Sequence, residues 1–243
     1  MFYSIGEFSR LCGINATTLR AWQRRYGLLT PQRTEGGHRM YTDDDVRLAL
    51  KILDWLRKGV PVSQVKPLLS RPETGLTNNW LSLQEKMLQR LKEGKIDALR
   101  QIVYDAGREY PRPELVTEVL RPLRSQLSAN IPAMLTLREI LDCIIIAYTS
   151  FCLEGDKKVA GDNILIGGWL LADPCEVWLE ALKRTGKGLR LDVLPRPAAT
   201  PAPVTFPDKK WLLVTGAPLT AAQAEQFQRW QQQVASLELI TLY

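Results

Sequence analysis

The first 27 residues constrain the fold most, because two segments of helical length are each bounded by a capping residue and a glycine. Ser4 and Glu7 form a capping-box pattern, in which hydroxyl and carboxylate bind free backbone amides at a helix start. Gly13 ends this first segment. Asn15 can cap a second helix, which Gly27 closes by accepting a left-handed conformation. Two short helices joined by a tight turn form a helix-turn-helix.

The second helix, predicted over Ala16–Tyr26, has one apolar side and one side rich in hydrogen-bond donors. The apolar side, which we expect to pack, carries Leu19, Trp22 and Tyr26. The donor side carries Thr17, Arg20, Gln23, Arg24 and Arg25. For this helix taken alone, a surface helix whose arginines serve only solubility remains an alternative.

A hairpin follows the second helix. Gly36 and Gly37 favour a tight turn, and donor side chains surround it on both sides. These are Arg33, His38, Arg39 and Tyr41. A hairpin of this kind beside a helix-turn-helix is a wing.

Another helix follows the wing, because Thr42 and Asp45 repeat the capping pattern. Its predicted buried stripe consists of Val46, Ala49, Leu50, Leu53 and Leu56. A last short helix is expected over Ser63–Leu69.

The net charge of +6 lies entirely in residues 1–71, which hold 12 Lys and Arg against 6 Asp and Glu. A localised basic excess is an electrostatic footprint for a polyanion, although solvated faces are also often basic.

These residues together resemble the DNA-binding domain of MerR-family regulators over roughly the first 70 positions. The resemblance is carried by Thr18-Leu19-Arg20-Ala21-Trp22-Gln23-Arg24-Arg25-Tyr26-Gly27-Leu28-Leu29, then Pro31 and Arg33, then Gly37-His38-Arg39-Met40-Tyr41 and the acidic helix start. Within the family, the Arg-Ala-Trp-Gln-Arg-Arg-Tyr-Gly and Gly-Gly-His-Arg runs are most similar to the MlrA-like and CarH-like subgroups, the second of which carries a cobalamin domain.

The resemblance implies a dimer that binds promoter DNA through a recognition helix in the major groove, with wings on the flanking backbone. It further implies that the regulator distorts an over-long promoter spacer, so that RNA polymerase can use the promoter. Trp22 stands where many members have a phosphate-contacting tyrosine, and His38 replaces a tyrosine common in the wing. The DNA-binding residues implied in this way are Thr17, Thr18, Arg20, Trp22, Arg24, Arg25, Arg33, His38, Arg39 and Tyr41.

The middle of the chain predicts a bundle of four helices. A polar linker around Arg71–Asn79 precedes the helical patterns. These patterns cover Trp80–Glu93, Ile96–Ala106, Pro113–Leu127 and Ala133–Leu153. The stripe of Leu115, Val119, Leu123 and Leu127 is interpreted as core.

From Asn163 onward, short apolar runs alternate with helical patterns, which predicts a parallel α/β sheet. Five prolines between 195 and 207 replace an expected crossover helix with extended chain. The predicted fold is therefore multidomain and mainly α with α/β. It comprises a winged helix-turn-helix (1–72), a four-helix bundle (76–157) and a degenerate Rossmann-like, cobalamin-binding-like domain (160–243).

No cofactor or metal is expected. The cobalamin domains that this order resembles use an Asp-x-His-x-x-Gly element, whereas the one histidine here is His38 in the wing. Histidine ligation of cobalt is thereby excluded, whereas weak binding of a corrin without a histidine ligand remains an alternative. Cys143 and Cys152 lie half a turn out of phase on a helix, so both are interpreted, like Cys12, as buried small hydrophobes rather than metal ligands.

The sequence favours a protein that is not an enzyme and does not enter a membrane. It has no glycine-rich phosphate loop with lysine and no nucleophile triad, and a solvated helix face explains Glu176 and Glu180. The most apolar stretch, Cys143–Leu153, has 11 residues, whereas a membrane span needs about 20. Without a signal-like amino terminus or paired cysteines, we expect a cytoplasmic protein.

Two hypotheses follow. The first is a dimeric transcriptional regulator controlled through its carboxy-terminal domains by a protein partner, with a different small molecule or a purely dimerising role as alternatives. The second is a corrinoid-binding enzyme or carrier with a basic accessory domain.

Overall fold

The computed structural model describes residues 1–69, 79–129, 131–158 and 160–242. Most of the predicted linker therefore lies outside the described residues. The chain divides into two compact units, 1–138 and 139–243. The three-domain division made from the sequence remains a prediction.

The start of the first unit has the predicted order of helices and strands, with one additional strand. Its helices are α1 (Ile5–Cys12), α2 (Ala16–Ala21), which continues as a π-helical turn (Trp22–Tyr26), α3 (Asp43–Arg57) and α4 (Val62–Leu68). Its strands are β1 (Phe2–Ser4), which the sequence analysis missed, β2 (Gln32–Arg33) and β3 (Arg39–Thr42). The three strands form an antiparallel sheet in the order β1-β3-β2.

The predicted caps are present. The Ser4 and Thr42 side chains accept from the amides of Glu7 and Asp45, and each carboxylate binds back to the capping residue's amide. Both helices therefore begin where the capping boxes predicted.

The core of residues 1–69 lies between α1, the second helix and α3. Ala49 and Leu56 of the predicted α3 stripe are buried, but Leu50 is 49% exposed. Ile52 and Trp55 are buried instead, so the stripe lies slightly further around the helix than predicted.

The rest of the first unit is helical. Its elements are α5 (Asn79–Lys92), α6 (Ile96–Glu109), α7 (Arg112–Leu115), a π-helical turn (Val116–Leu120) and α8 (Arg121–Gln126). The stripe from Leu115 to Leu127 is buried, as predicted. The last helix of the predicted bundle is α9 (Pro132–Asp156), which begins in the first unit and continues into the second. The predicted four-helix bundle is not confirmed.

Of the three cysteines that were predicted to be buried, two are buried. Cys12 and Cys152 are buried, whereas Cys143 is exposed on α9. The interpretation of Cys143 as a core residue was wrong, because spacing along a helix of mixed hydrophobicity does not fix which side turns inward.

Across the described ranges, no three His, Cys, Asp or Glu side chains cluster as metal ligands would. None of the helices described there is both long and apolar enough to cross a membrane.

The second unit contains a parallel sheet with the order β5-β4-β6-β7. The strands are β4 (Asp162–Gly168), β5 (Leu189–Val193), β6 (Lys210–Thr215) and β7 (Ser236–Thr241). Helices α10 (Cys175–Arg184) and α11 (Ala221–Gln231) separate them as predicted, and no long helix replaces the proline-rich crossover. Two apolar clusters line the sheet, one that includes α10 and one that includes α11.

Glu180 on α10 corrects the interpretation of a solvated helix face. Its side chain is only 1% exposed and is bound by Lys183 at 3.0 Å and by Arg184. The two cations neutralise the buried carboxylate, so Glu180 belongs to a structural ion-pair cluster and not to a solvated surface.

Candidate nucleic-acid interface

The recognition helix (Ala16–Tyr26) is fixed at both ends by local chemistry. The Asn15 side chain accepts from the Thr18 amide at 2.7 Å, which satisfies one of the free donors at the helix start. Gly27 closes the helix with φ of 58° in the left-handed region. The last five residues form a π-helical turn, a widened form that often occurs at functional sites.

The buried side of this helix holds it against the core, and its other side is open. Leu19 is fully buried and Trp22 is 4% exposed, whereas Thr17, Arg20, Arg24 and Arg25 are exposed. The division into an apolar and a donor side therefore agrees with the sequence pattern.

The wing lies beside this open side, and a side-chain hydrogen bond joins the two. Arg39 Nε donates to Gln23 Oε1 at 2.8 Å, which joins β3 to the recognition helix. At the hairpin, Gly37 adopts φ of 76°, and the backbone of Thr34 and His38 pairs. Arg33 and His38 are exposed there.

We call the five arginines of the recognition helix and the wing the arginine face; they are Arg20, Arg24, Arg25, Arg33 and Arg39. Among the residues that the structure describes, none of the five forms an ion pair with a carboxylate. Their positive charges are thus not neutralised within that part of the chain. Five adjacent guanidinium groups attract phosphate, which they can bind with paired N–H donors.

A cleft of about 770 Å³ opens along the recognition helix. The whole arginine face lines it, together with Thr17 and Thr18. Gly107 and Arg108, near the carboxyl end of α6, also line it. Eight of the ten predicted DNA-binding residues are thus gathered in one place, and His38 and Tyr41 are not among them.

The structure corrects the interpretation of Tyr41. Its side chain is fully buried and stacks on Phe8, with ring centroids 4.1 Å apart. Its hydroxyl oxygen is buried without a hydrogen-bond partner among the described residues. Burial raises the pKa of Tyr41, mainly because the phenolate would be desolvated. The Tyr41 side chain therefore supports the wing from inside and presents no donor to a ligand.

Trp22 reaches the cleft with little of its surface. Only 4% of the residue is exposed, so most of the indole belongs to the core. A phosphate could contact only the small part of the side chain that lines the cleft. This contact stays a prediction.

Gln23 and Arg108 are among the cleft residues that lie outside the predicted DNA-binding set. Gln23 was read as one donor among several, and only the structure shows that it holds Arg39. Arg108 lies 69 positions beyond Arg39, and no local pattern connects the two.

A helix-turn-helix with a wing and a cationic recognition helix defines a DNA-binding protein of the winged helix-turn-helix class. Comparison with known proteins supports the same class. Three family models match the chain: "MerR HTH family regulatory protein" over residues 3–71, "Transcriptional regulator MlrA, helical domain" over 80–154, and "Transcriptional regulator MlrA, C-terminal domain" over 161–237.

Curated relatives extend the match to nearly the whole chain. The HTH-type transcriptional regulator MlrA of Escherichia coli is 40% identical over 231 residues, which is 95% of this chain and 95% of the relative. The protein of the same name from Salmonella typhimurium is 41% identical over the same shares. The HTH-type transcriptional repressor CarH of Myxococcus xanthus is 40% identical over 74 residues, 30% of this chain and 25% of the relative.

The chain therefore belongs to the MlrA family of MerR-type transcriptional regulators. The family predicted from the recognition-helix and wing residues is confirmed.

Proposed function

We propose that two copies of this regulator bind a palindromic promoter site, each placing its recognition helix in the major groove. The observation that supports this most is the arginine face, whose five guanidinium groups lack carboxylate partners in the described part of the chain. A paired site suits a dimer, because half-sites one helical turn apart present equivalent groove faces to two equivalent subunits.

Within the interface, the exposed residues divide by the element that carries them. Arg20 and Arg24 on the recognition helix have the reach and donor geometry to read guanine edges, and Thr17, Thr18 and Arg25 support them there. Arg33, His38 and Arg39 on the wing would bind phosphates, which set position without reading sequence. In this account the bound dimer distorts the promoter spacer and thereby acts on RNA polymerase indirectly.

We further propose that residues 160–243 are a degenerate relative of the cobalamin-binding, Rossmann-like domain. The parallel strand order β5-β4-β6-β7 supports this, because doubly wound sheets have an order of this kind. Such sheets bind ligands at the carboxyl ends of the strands, at the point where the order reverses. Here that edge is filled by the chain itself. A Cβ built on Gly168 would lie 2.8 Å from Pro197 Cβ, and one on Gly167 would lie 3.1 Å from Leu194.

Further bonds hold the proline-rich segment against this edge. The Ala198 amide donates to the Gly168 carbonyl at 2.9 Å, and the Trp169 indole donates to the Ala199 carbonyl at 3.2 Å. With the crevice occupied in this way, control by a protein partner is better supported than control by a bound corrin. The regulatory relatives likewise favour this function over a corrinoid-binding enzyme or carrier.

Selection from random duplexes tests the DNA-binding part of the proposal. The full chain should enrich one palindromic sequence, and sedimentation should give two chains per selected duplex. Enrichment of no sequence would contradict the specific function, and one chain per duplex would contradict the dimer.

A genome-wide footprint tests the control part. The full chain and a chain lacking residues 160–243 should occupy the same sites. Only the full chain should change its occupancy of those sites with growth conditions, and only the full chain should cross-link to a partner protein. If the shortened chain responds identically, control through the carboxy-terminal domain is contradicted.

A further inference from the structure

We propose that Arg108 of α6 is an additional DNA-backbone contact, so that the interface extends beyond the winged helix-turn-helix into the helical segment. This inference rests on the proposed DNA binding. Arg108 lines the cleft together with the five arginines of the arginine face. Six arginines from three separate stretches of sequence thus meet along one concave surface.

The end of α6 is held in place beside the recognition helix by Glu109. One carboxylate oxygen of Glu109 accepts from the Tyr26 hydroxyl at 3.1 Å, and the other accepts from the Ser63 amide at 3.1 Å. Burial first, and then the Glu109 carboxylate, raise the pKa of Tyr26, which keeps the hydroxyl protonated as a donor. Arg108, the preceding residue, is therefore positioned with respect to the arginine face.

Trp80 provides a second attachment between the helical segment and the winged helix-turn-helix. Its indole N–H donates to the Arg57 carbonyl at 3.3 Å. The ring also packs against Gly59, where a built Cβ would lie 3.2 Å from the indole nitrogen. Two separate attachments, Glu109 on α6 and Trp80 on α5, thus join the helical segment to the winged helix-turn-helix.

The Arg108 guanidinium remains available to a phosphate. Its one ion pair in the described ranges is with Asp105 at 3.0 Å, and both side chains are more than half exposed. Exposed pairs of this kind contribute about 0 to 1 kcal/mol, so a phosphate can compete with Asp105. Only one of five N–H donors is used in that pair, which leaves others for a backbone oxygen.

The cleft is lined both by the recognition helix and by the end of α6. A helix inserted in a major groove has a backbone strand on each side of it. Arg108 would then bind phosphate on the strand beside α6, while the recognition helix contacts the bases.

The test compares Arg108→Ala with Arg100→Ala in the full-length protein, using a duplex selected by that protein. Arg100 removes the same charge from the same helix, but it lies two turns earlier, about 12 Å away, and does not line the cleft. Arg108→Ala should weaken binding about threefold to tenfold at low salt. It should also reduce the slope of log affinity against log salt by roughly 0.9 while base preference stays unchanged. Arg100→Ala should do neither.

Equal effects of the two variants would overturn the proposal, and so would tighter binding by Arg108→Ala, which would show that α6 obstructs the interface. Arg20→Ala, measured in parallel, separates this failure from failure of the proposed function. If Arg20→Ala weakens binding and Arg108→Ala does not, only the extension to α6 is lost.

Discussion

At the scale of single residues, sequence reasoning identified which side chains carry positive charge but not which aromatic groups are exposed. The alternation of apolar and donor positions placed Leu19 in the core and Arg20 outside it, because the apolar and charged residues of this helix fall on opposite sides. Tyr41 was misjudged, since an amphipathic ring in a short strand can face either side. Its inward position follows from the stack on Phe8, a contact over 33 positions of sequence.

The buried position of Tyr41 leads to a direct prediction. Tyr41→Phe removes a buried hydroxyl that has no partner in the described residues, so it should raise the free energy of unfolding by up to about 1 kcal/mol and leave DNA affinity unchanged. Tyr41→Ala, as the control, should cost about 3 to 5 kcal/mol because it opens a core cavity. Chemical denaturation and duplex titration measure both quantities. Weaker DNA binding by the stably folded Tyr41→Phe variant would restore the phenol to the interface.

At the scale of elements, capping patterns located the helices well because a cap is a local interaction. The recognition helix and α3 begin at the predicted residues, whereas β1 was missed because a strand of three residues, the last of them a helix cap, carries no pattern of its own. The π-helical ending of the recognition helix also has no local signature. The carboxyl-edge packing of the parallel sheet depends on contacts between Gly168 and Pro197, which only the folded chain brings together.

The cap of the recognition helix provides the first element-scale prediction. Asn15→Ala removes the acceptor for the Thr18 amide and should cost about 1 kcal/mol of unfolding free energy. Asn15→Ser, which keeps an oxygen acceptor, should cost much less. Thermal unfolding followed by circular dichroism measures the difference, and equal costs for the two variants would show that the side-chain acceptor does not stabilise the helix.

The filled edge of the parallel sheet provides the second. Gly168→Ala places a methyl group 2.8 Å from Pro197 and should destabilise the protein by about 1 to 3 kcal/mol. Gly155→Ala on α9, where nothing lies within 4 Å of a built Cβ, should instead stabilise by roughly 0.5 to 1 kcal/mol. Denaturant unfolding compares them. A neutral Gly168→Ala variant would mean that the proline-rich segment is held only loosely against that edge.

At the scale of the whole molecule, the order of the elements was predictable and their assembly was not. The sequence indicated helices followed by a parallel α/β region, and the elements occur in that order. It could not indicate that α6 ends beside the recognition helix, because that arrangement depends on Glu109 and Trp80, which contact residues far away in the chain.

The packing of the helical segment against the winged helix-turn-helix has a pH signature in Tyr110, which lies next to Glu109 and packs on Trp80. Burial, and then the Glu109 charge, raise the pKa of Tyr110 to about 12 from its ordinary value of 10.0. The folded state thus keeps this proton where the unfolded state releases it. The stabilisation is complete below pH 10 and is lost as pH rises towards 12.

Tyr110→Phe should therefore show a smaller loss of unfolding free energy across that pH range than the unsubstituted chain. The difference should be about 1 kcal/mol, less than the ~2.7 kcal/mol of a fully expressed rise of the pKa from 10.0 to about 12, because solvent screens the partly exposed ring. Lysines and other tyrosines titrate in both proteins, so the difference isolates Tyr110. Denaturation at several pH values measures it. Identical pH profiles would show that Tyr110 is not desolvated in the fold.

The central claim is that the recognition helix reads bases while the wing binds the backbone of the same duplex. Salt titrations of Arg20→Ala and Arg39→Ala on a selected duplex and on base-substituted copies test it most directly. Arg20→Ala should lose about 1 to 3 kcal/mol of binding free energy and discriminate less between the copies. Arg39→Ala should weaken binding to all copies alike and lower the salt slope by roughly 0.9. If neither substitution changes affinity, discrimination or slope, the assignment of this surface to DNA is contradicted.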